Sequence, residues 1–343
     1  MRPATYSGSR KQHGFALILV LWVLSLMIIM AGSFALSMRR EAGLVSNIRN
    51  TAQALAIAES GVNIAEMMLL LPDALKRWHT DGSIYQVDMD EAVIRIKLLS
   101  ENGKIDINKA DEKILKALLL AVPSLDEKAQ SKLLGAIMDW RDTDDLLHID
   151  GAEKKEYQDA GLRYGPRNKP FRSIDELRLV LGFDEDIFQW MSPLITVYGT
   201  AKVNQQMASV DVLRVLPDLD EELIDEFVAA RLDSARKDLP VPAFPSAITP
   251  LVPIKNAPQV QNTQATANNQ VITVISEVLL DDGTSASLTA VVQNVSGSKT
   301  PFQLFNWQRN VVSHQSLFAE SETDTTAESD LPVKHYAESE FFH

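Results

Sequence analysis

The chain has 343 residues, 23% of them charged and 45% hydrophobic, with a formal net charge of -13. Acidic surface of that size argues against binding a phosphate backbone, which needs a basic face. There is no cysteine, so disulfides, thiolate metal sites and thiol nucleophiles are all excluded.

In chain order, the first feature is apolar. Phe15 to Met38 carries no charge over 24 residues, preceded by a polar leader with Arg2, Arg10, Lys11 and His13 that ends at Gly14. At ~1.5 Å rise per residue, such a run spans a ~30 Å hydrocarbon core. A secretory signal would be cut after its apolar region, but Ser37-Met38-Arg39-Arg40 offers no small-x-small site there. The remaining processing point is Gly14-Phe15, before the helix. This arrangement resembles the type IV prepilin class, in which a peptidase cleaves after the glycine and methylates the new amine. An ordinary single-span anchor with a basic tail is the alternative. Pilins usually carry Glu at the fifth mature position; here it is Leu19. A protonated amine among apolar helices is costly unless paired. A subunit without the carboxylate cannot serve a neighbour inserted beyond it, so Leu19 suggests a place at the filament end.

Helical spacing continues through Leu44, Ile48, Leu55, Val62, Ala65 and Met68 and predicts one helix to about Leu71-Pro72. Small residues from Ala52 to Gly61 leave room for close packing. Ala92 to Leu98 alternates as a strand, Glu101-Asn102-Gly103-Lys104 is a turn, and Ile105-Asp106-Ile107 is a short second strand beside it. Helices follow over Asp111–Ala121, Asp126–Trp140, Ile174–Val180, Ile187–Met191, Val210–Leu216 and Glu221–Leu232. Asn108-Lys109-Ala110 and Asn204 to Ala208 each precede a helix, a proline turn and a second helix, an internal echo. The paired helices look like helix-hairpin-helix units. Their turns, Val122-Pro123-Ser124-Leu125 and Leu216-Pro217-Asp218-Leu219, lack the glycine that phosphate contact needs and lead into acidic residues. A structural scaffold is the dominant reading and no nucleic-acid partner is expected.

Residues 239–270, rich in Pro, Asn, Gln and Thr, read as an exposed linker. Val271–Leu280 and Ser287–Val292 form a hairpin, Phe302–Trp307 is a further strand, and 311–343 is an acidic, disordered tail. Strand signals on both sides of a helical block predict an α+β fold: one antiparallel sheet split in sequence, with an all-α domain inserted.

Two constellations concern chemistry. No Gly-x-Ser-x-Gly or His-Glu-x-x-His occurs, and the histidines, His148 included, read as surface residues, so no enzyme is predicted. The acidic run Asp139-Trp140-Arg141-Asp142-Thr143-Asp144-Asp145, with Gly151-Ala152-Glu153, is different. Asp142, Asp144 and Glu153 fall at positions 1, 3 and 12 of a calcium-loop length, but Leu147 replaces the turn glycine. Either the loop folds around Ca²⁺, or it is a solvated acidic loop balanced by Arg141 or Lys154.

Taken together, Gly14-Phe15-Ala16-Leu17, Gly103 to Ala110, Asp139 to Asp145, Gly151-Ala152-Glu153 with Tyr157, Tyr164 to Phe171, Glu176-Leu177 and Val203-Asn204 resemble the K-type minor pseudopilins of the type II (general) secretion pathway. The resemblance runs from about residue 10 to 310. It implies a pilin-like fold interrupted by a large α-domain: leader 1–14, membrane helix 15–38, pilin-like part 39–107, inserted α-domain 108–238, linker 239–270, second pilin-like part 271–310 and tail 311–343. It implies a single-pass inner-membrane protein with its bulk in the periplasm, at the tip of the pseudopilus. The implied partners are I-type and J-type minor pseudopilins, the major pseudopilin, the prepilin peptidase, and the outer-membrane secretin or cargo. It assigns processing to Gly14 and Phe15. It places structural calcium on Asp142, Asp144, Asp145 and Glu153, with Asp139 weaker. The runner-up is a minor pilin of a type IV pilus or competence system; a plain bitopic scaffold is third. The linker is longer than the family's and the acidic tail is unmatched.

Overall fold

The computed structural model describes residues 14–73, 76–123, 125–237, 239–245, 270–295, 300–309, 316–318 and 334–337. The leader up to residue 13, most of the 239–270 linker and the acidic positions Glu320 to Asp330 lie outside the described residues. The chain divides into two compact units, residues 1–53 and 54–343.

Helix α1 covers Gly14–Leu69. No proline interrupts it before Pro72, and its best 18-residue window has mean hydropathy 2.6. That is long and apolar enough to cross a membrane. Leu17 to Met38 present their large apolar side chains outward, Trp22 at 76% exposure. The Ser25 hydroxyl donates to the Leu21 carbonyl at 2.8 Å, so a polar side chain is satisfied within the apolar run.

The second unit contains the C-terminal part of α1 and a six-stranded sheet. The strands are β1 (Asp81–Met89), β2 (Ala92–Ser100), β5 (Val271–Leu280), β6 (Ser285–Asn294), β7 (Phe302–Arg309) and β8 (Lys334–Ala337), in the order β7-β6-β5-β2-β1-β8. All neighbours are antiparallel except β1 and β8, which are parallel. Period-2 alternation is clean on β2: Ala92, Ile94, Ile96 and Leu98 are buried against α1, and the residues between them are half-buried on the other face. Ala54, Ala58, Val62, Ala65 and Met68 of α1 complete this core. Gly61 marks the closest approach, since a Cβ there would sit 2.2 Å from the Ser276 hydroxyl and 3.1 Å from Ile94. A glycine is required because the helix backbone lies directly on the sheet.

Between β2 and β5 the chain leaves the sheet and builds a helical block around a separate core. Its elements are a 3₁₀ turn at Glu101–Gly103, β3 (Ile105–Asp106), α2 (Glu112–Leu120), α3 (Glu127–Arg141), α4 (Lys154–Asp159), a 3₁₀ helix at Ile174–Leu179, α5 (Glu185–Met191), β4 (Ile195–Thr196), α6 (Val210–Val215) and α7 (Glu221–Arg236). Asp111, Asp126, Asp184 and Ser209 cap α2, α3, α5 and α6 by accepting from backbone amides. Leu118, Ile137, Tyr157 and Phe227 lie at the centre of the block. Sheet and block are joined at Glu101, whose buried carboxylate accepts from Lys104 at 2.7 Å, Thr273 of β5 at 2.6 Å and Thr196 of β4. Burial alone would raise its pKa, but Lys104 and the two hydroxyls outweigh that and hold it below the usual glutamate value.

The α+β class stands, with five corrections. Ile105-Asp106 does not pair with β2; it pairs in parallel with β4, and the flanking amides bond Leu194 and Thr196 carbonyls. Strand β1, absent from the sequence reading, is the true partner of β2. Its opening Asp81-Gly82-Ser83 reads as a turn, and Gly82 at φ 93° and an irregularity before Ile84 sit at that point. Helix α4 was not anticipated either. The 311–343 stretch is not uniformly disordered, because Leu317 is buried and Lys334–Ala337 adds a strand to β1. At the start of the linker, Phe244 packs on Phe227 with ring centroids 4.8 Å apart, so its first residues are docked rather than free.

The internal echo has a structural counterpart. Arg141, ending α3, donates to the carbonyls of Ile107 and Ala110 at 2.7 and 2.9 Å. Arg231 of α7 donates to Ala208 at 2.7 Å. In each unit an arginine of the second helix captures the backbone that feeds the first. Burial lowers the pKa of both guanidiniums.

Candidate metal centre

The acidic loop runs from the end of α3 to the start of α4. Asp139, in the last turn of α3, is fully buried and organises it. One carboxylate oxygen accepts from the His148 amide at 3.0 Å and meets His148 Nδ1; the other accepts from the Ala152 amide at 2.7 Å. The loop must return very close to the helix for this. A Cβ on Gly151 would lie 2.0 Å from Asp139 Oδ2, and one on Gly135 would lie 2.6 Å from the Gly151 backbone. Two glycines on facing backbones make the approach.

Asp142, Asp144, Asp145 and Glu153 occupy the loop that Asp139 shapes. Asp144 accepts from the Leu146 amide at 2.9 Å. Asn168, on a second loop and in the left-handed region at φ 50°, donates to the Asp144 carbonyl at 2.7 Å and to Asp145 at 2.8 Å. The loop is therefore stitched by one amide side chain and by Asp139. Arg141, one of the two expected counter-charges, spends its donors on Ile107 and Ala110. His148 stands nearer: its Nδ1 is 3.5 Å from Asp142. Asp139, Asp142 and His148 can each offer a ligand atom, all within 4.8 Å of one another. The sequence reading placed His148 on the surface. His148 is indeed exposed, and its Nδ1 faces the carboxylates, which nothing in its spacing signals.

Electrostatics in the loop are unbalanced. Burial, then Asp144 and Asp139, raise the Asp142 pKa. Burial, then the charges of Asp139, Asp142 and Asp145, push Glu153 up to about 7. Like charges held together in a partly desolvated loop disfavour ionisation unless a cation joins them. Among the described residues, three buried oxygens here have no hydrogen-bond partner: Asp142 Oδ1, Glu153 Oε1 and Asn168 Oδ1. Buried oxygens without donors are unusual. All three are hard ligands, and an all-oxygen set with several carboxylates suits Ca²⁺ rather than a soft metal. These donor types are ones that Ca²⁺ takes, but among the described residues the group whose ligand atoms lie within 4.8 Å of one another is Asp139, Asp142 and His148, without the expected Asp144, Asp145 and Glu153; Asn168 is not among the expected ligands.

Residues 94–200, from the middle of β2 to just past β4, match the family model described as "Type II secretion system (T2SS), protein K". The acidic loop lies inside that match. Over that stretch and beyond it, the chain is similar to type II secretion system protein K. It is 26% identical over 218 residues to the type II secretion system protein K of Klebsiella pneumoniae, covering 57% of this chain and 66% of that relative. It is 25% identical over 245 residues to that of Pseudomonas aeruginosa, covering 65% and 73%. The chain thus spans roughly two thirds of the length of the protein K relatives it matches. A solved structure titled as the GspK-GspI-GspJ complex from the enterotoxigenic Escherichia coli Type 2 Secretion System matches at TM-score 0.47 and 14% identity, over 79% of this chain and 98% of that one.

Proposed function

We propose that this chain is a type II secretion system protein K, a minor pseudopilin at the tip of the pseudopilus, anchored in the inner membrane by α1 with its bulk in the periplasm. In this role it primes pseudopilus assembly and supports export of folded proteins across the outer membrane. It is an assembly component, not an enzyme. The observation that carries the reading is the pairing of a protein K domain at 94–200 with an apolar helix bearing Leu19 where a filament-internal subunit needs a carboxylate. A subunit that cannot neutralise the next amine ends a helical stack.

Processing after Gly14 leaves Phe15 as the methylated N-terminus, made by the prepilin peptidase. I-type and J-type minor pseudopilins, with the major pseudopilin below them, are the lateral partners; the helical block points the chain toward the secretin or cargo. Asp142, Asp145, Glu153 and Asn168, with Asp144 and with Asp139 shaping the loop, hold a structural Ca²⁺. The ion supplies positive charge that lets the carboxylates ionise together and satisfies the buried oxygens.

Purification of the tagged full chain with candidate I-type and J-type subunits tests the assembly role. A stable complex is expected, with mass spectrometry reporting methylated Phe15 at the N-terminus. An uncut Met1 and no complex would refute it. Isothermal titration with Ca²⁺ tests the metal centre independently, and absence of binding at neutral pH would remove it.

A further inference from the structure

Beyond α1, three exposed large apolar side chains share one loop. Leu146, Leu147 and Ile149, between α3 and α4, are 74%, 54% and 89% exposed. Among the described residues no large apolar side chain is more exposed than Ile149, those of the membrane-length helix included. A single exposed leucine is ordinary on a folded protein, but three aliphatic residues in four consecutive positions are not.

The loop that carries them is tied down. The Leu146 amide donates to Asp144 at 2.9 Å, the His148 amide to buried Asp139 at 3.0 Å, and the Ser131 hydroxyl of α3 to Asp150 at 2.8 Å. The Gly151 amide closes the turn on the His148 carbonyl at 2.9 Å. The chain is thus fixed on both sides of Leu147 and on both sides of Ile149. The three side chains belong to neither hydrophobic core. Holding them out in one arrangement lowers the ordering cost of a contact.

Charge around them selects the occupant. From Asp142 to Asp150 the loop carries four aspartates and no lysine or arginine. The Arg141 guanidinium is turned to the Ile107 and Ala110 carbonyls. Anionic lipid headgroups are repelled by such a rim. A second copy of this chain brings the same net charge of -13. An apolar pocket bordered by Lys or Arg is complementary in both respects, with aliphatic anchors at the centre and opposite charges at the rim. Asp150 lies outside the proposed Ca²⁺ ligands, so a rim charge persists when the ion is bound.

We propose that Leu146, Leu147 and Ile149 anchor a docking loop that inserts into an apolar pocket with a basic rim on a different protein. This contact goes beyond the pseudopilin role, because the loop's own side chains define it.

The test places a photo-crosslinking residue, p-benzoylphenylalanine, at position 149 of the full chain in producing cells. Irradiation is expected to give an adduct with another protein, mapped by mass spectrometry to an apolar site flanked by Lys or Arg. Leu146→Ser with Leu147→Ser is expected to lower the adduct yield by about tenfold. The melting temperature of that variant should stay within about 2 °C, because exposed side chains away from a core contribute little to stability. With the identified partner purified, Asp150→Asn should blunt the fall in binding as salt rises. An adduct with lipid alone or with a second copy alone, no adduct, an undiminished yield in the serine variant, or a serine variant that fails to fold would overturn the proposal.

Discussion

At the scale of single residues, the acidic loop is governed by close backbone approach and by uncompensated charge. Gly151 has no room for a Cβ, because Asp139 occupies the space. Gly151→Ala is expected to displace that carboxylate and destabilise the protein by about 2 kcal/mol, seen in chemical denaturation. Glu153 gives a pH signature. Its pKa is pushed up to about 7 in the folded, metal-free chain, above its unfolded value. The folded state therefore holds more protons between those two values, so the stabilisation is present at low pH and is lost as pH rises through about 7. Thermal melts in a chelator should show falling stability from about pH 5 to pH 7.5, and Glu153→Gln should flatten that slope. Saturating Ca²⁺ should reverse it, since the ion binds the deprotonated carboxylate. The acidic run and Glu153 were legible as candidate ligands because carboxylate density and spacing are local properties. His148 and Asn168 were not, because their placement depends on a turn and on a second loop.

Elements pack here through small residues and buried polar joints. Gly61 lets α1 lie on β5 and β2, and Gly61→Val is expected to cost about 1–3 kcal/mol by forcing helix and sheet apart. A two-state denaturation curve measures it. The joint at Glu101 binds sheet to helical block through Lys104, Thr273 and Thr196. Glu101→Ala leaves two buried hydroxyls without their acceptor, and a loss of about 3 kcal/mol is expected on the scale of a broken buried network. Most elements were legible: α1, β2, the β5–β6 hairpin and the capped helices carry strong periods and start signals. The failures have a common cause. Strand β1 begins in a turn-like sequence, and β3 is two residues whose partner, β4, lies some 90 positions away. Period and propensity cannot name a partner across such a distance.

For the whole molecule, the question is which subunits it meets and in what order. Under the tip reading, Leu19→Glu restores the carboxylate that a filament-internal subunit uses. Tagged copies of that variant are expected along the pseudopilus, while wild-type copies cluster at one end; immunogold labelling of overproduced filaments distinguishes them. Equal distributions would show that Leu19 does not set position.

What the chain's sequence determined by itself was whatever depends on neighbours along the backbone. That includes the membrane-length helix, the α+β alternation with strands on both sides of a helical block, the capped helix pairs, and the carboxylate cluster with its family resemblance. Tertiary structure alone decided strand partners, the shared Arg141 and Arg231 latches, the loop geometry that leaves three oxygens unpaired, and the return of Leu317 and β8 to the sheet. The physical reason is the same in each instance. A helix or a cap is closed by hydrogen bonds within a few residues, whereas a sheet edge, a buried arginine or a ligand cradle is completed by groups that only chain folding brings into reach.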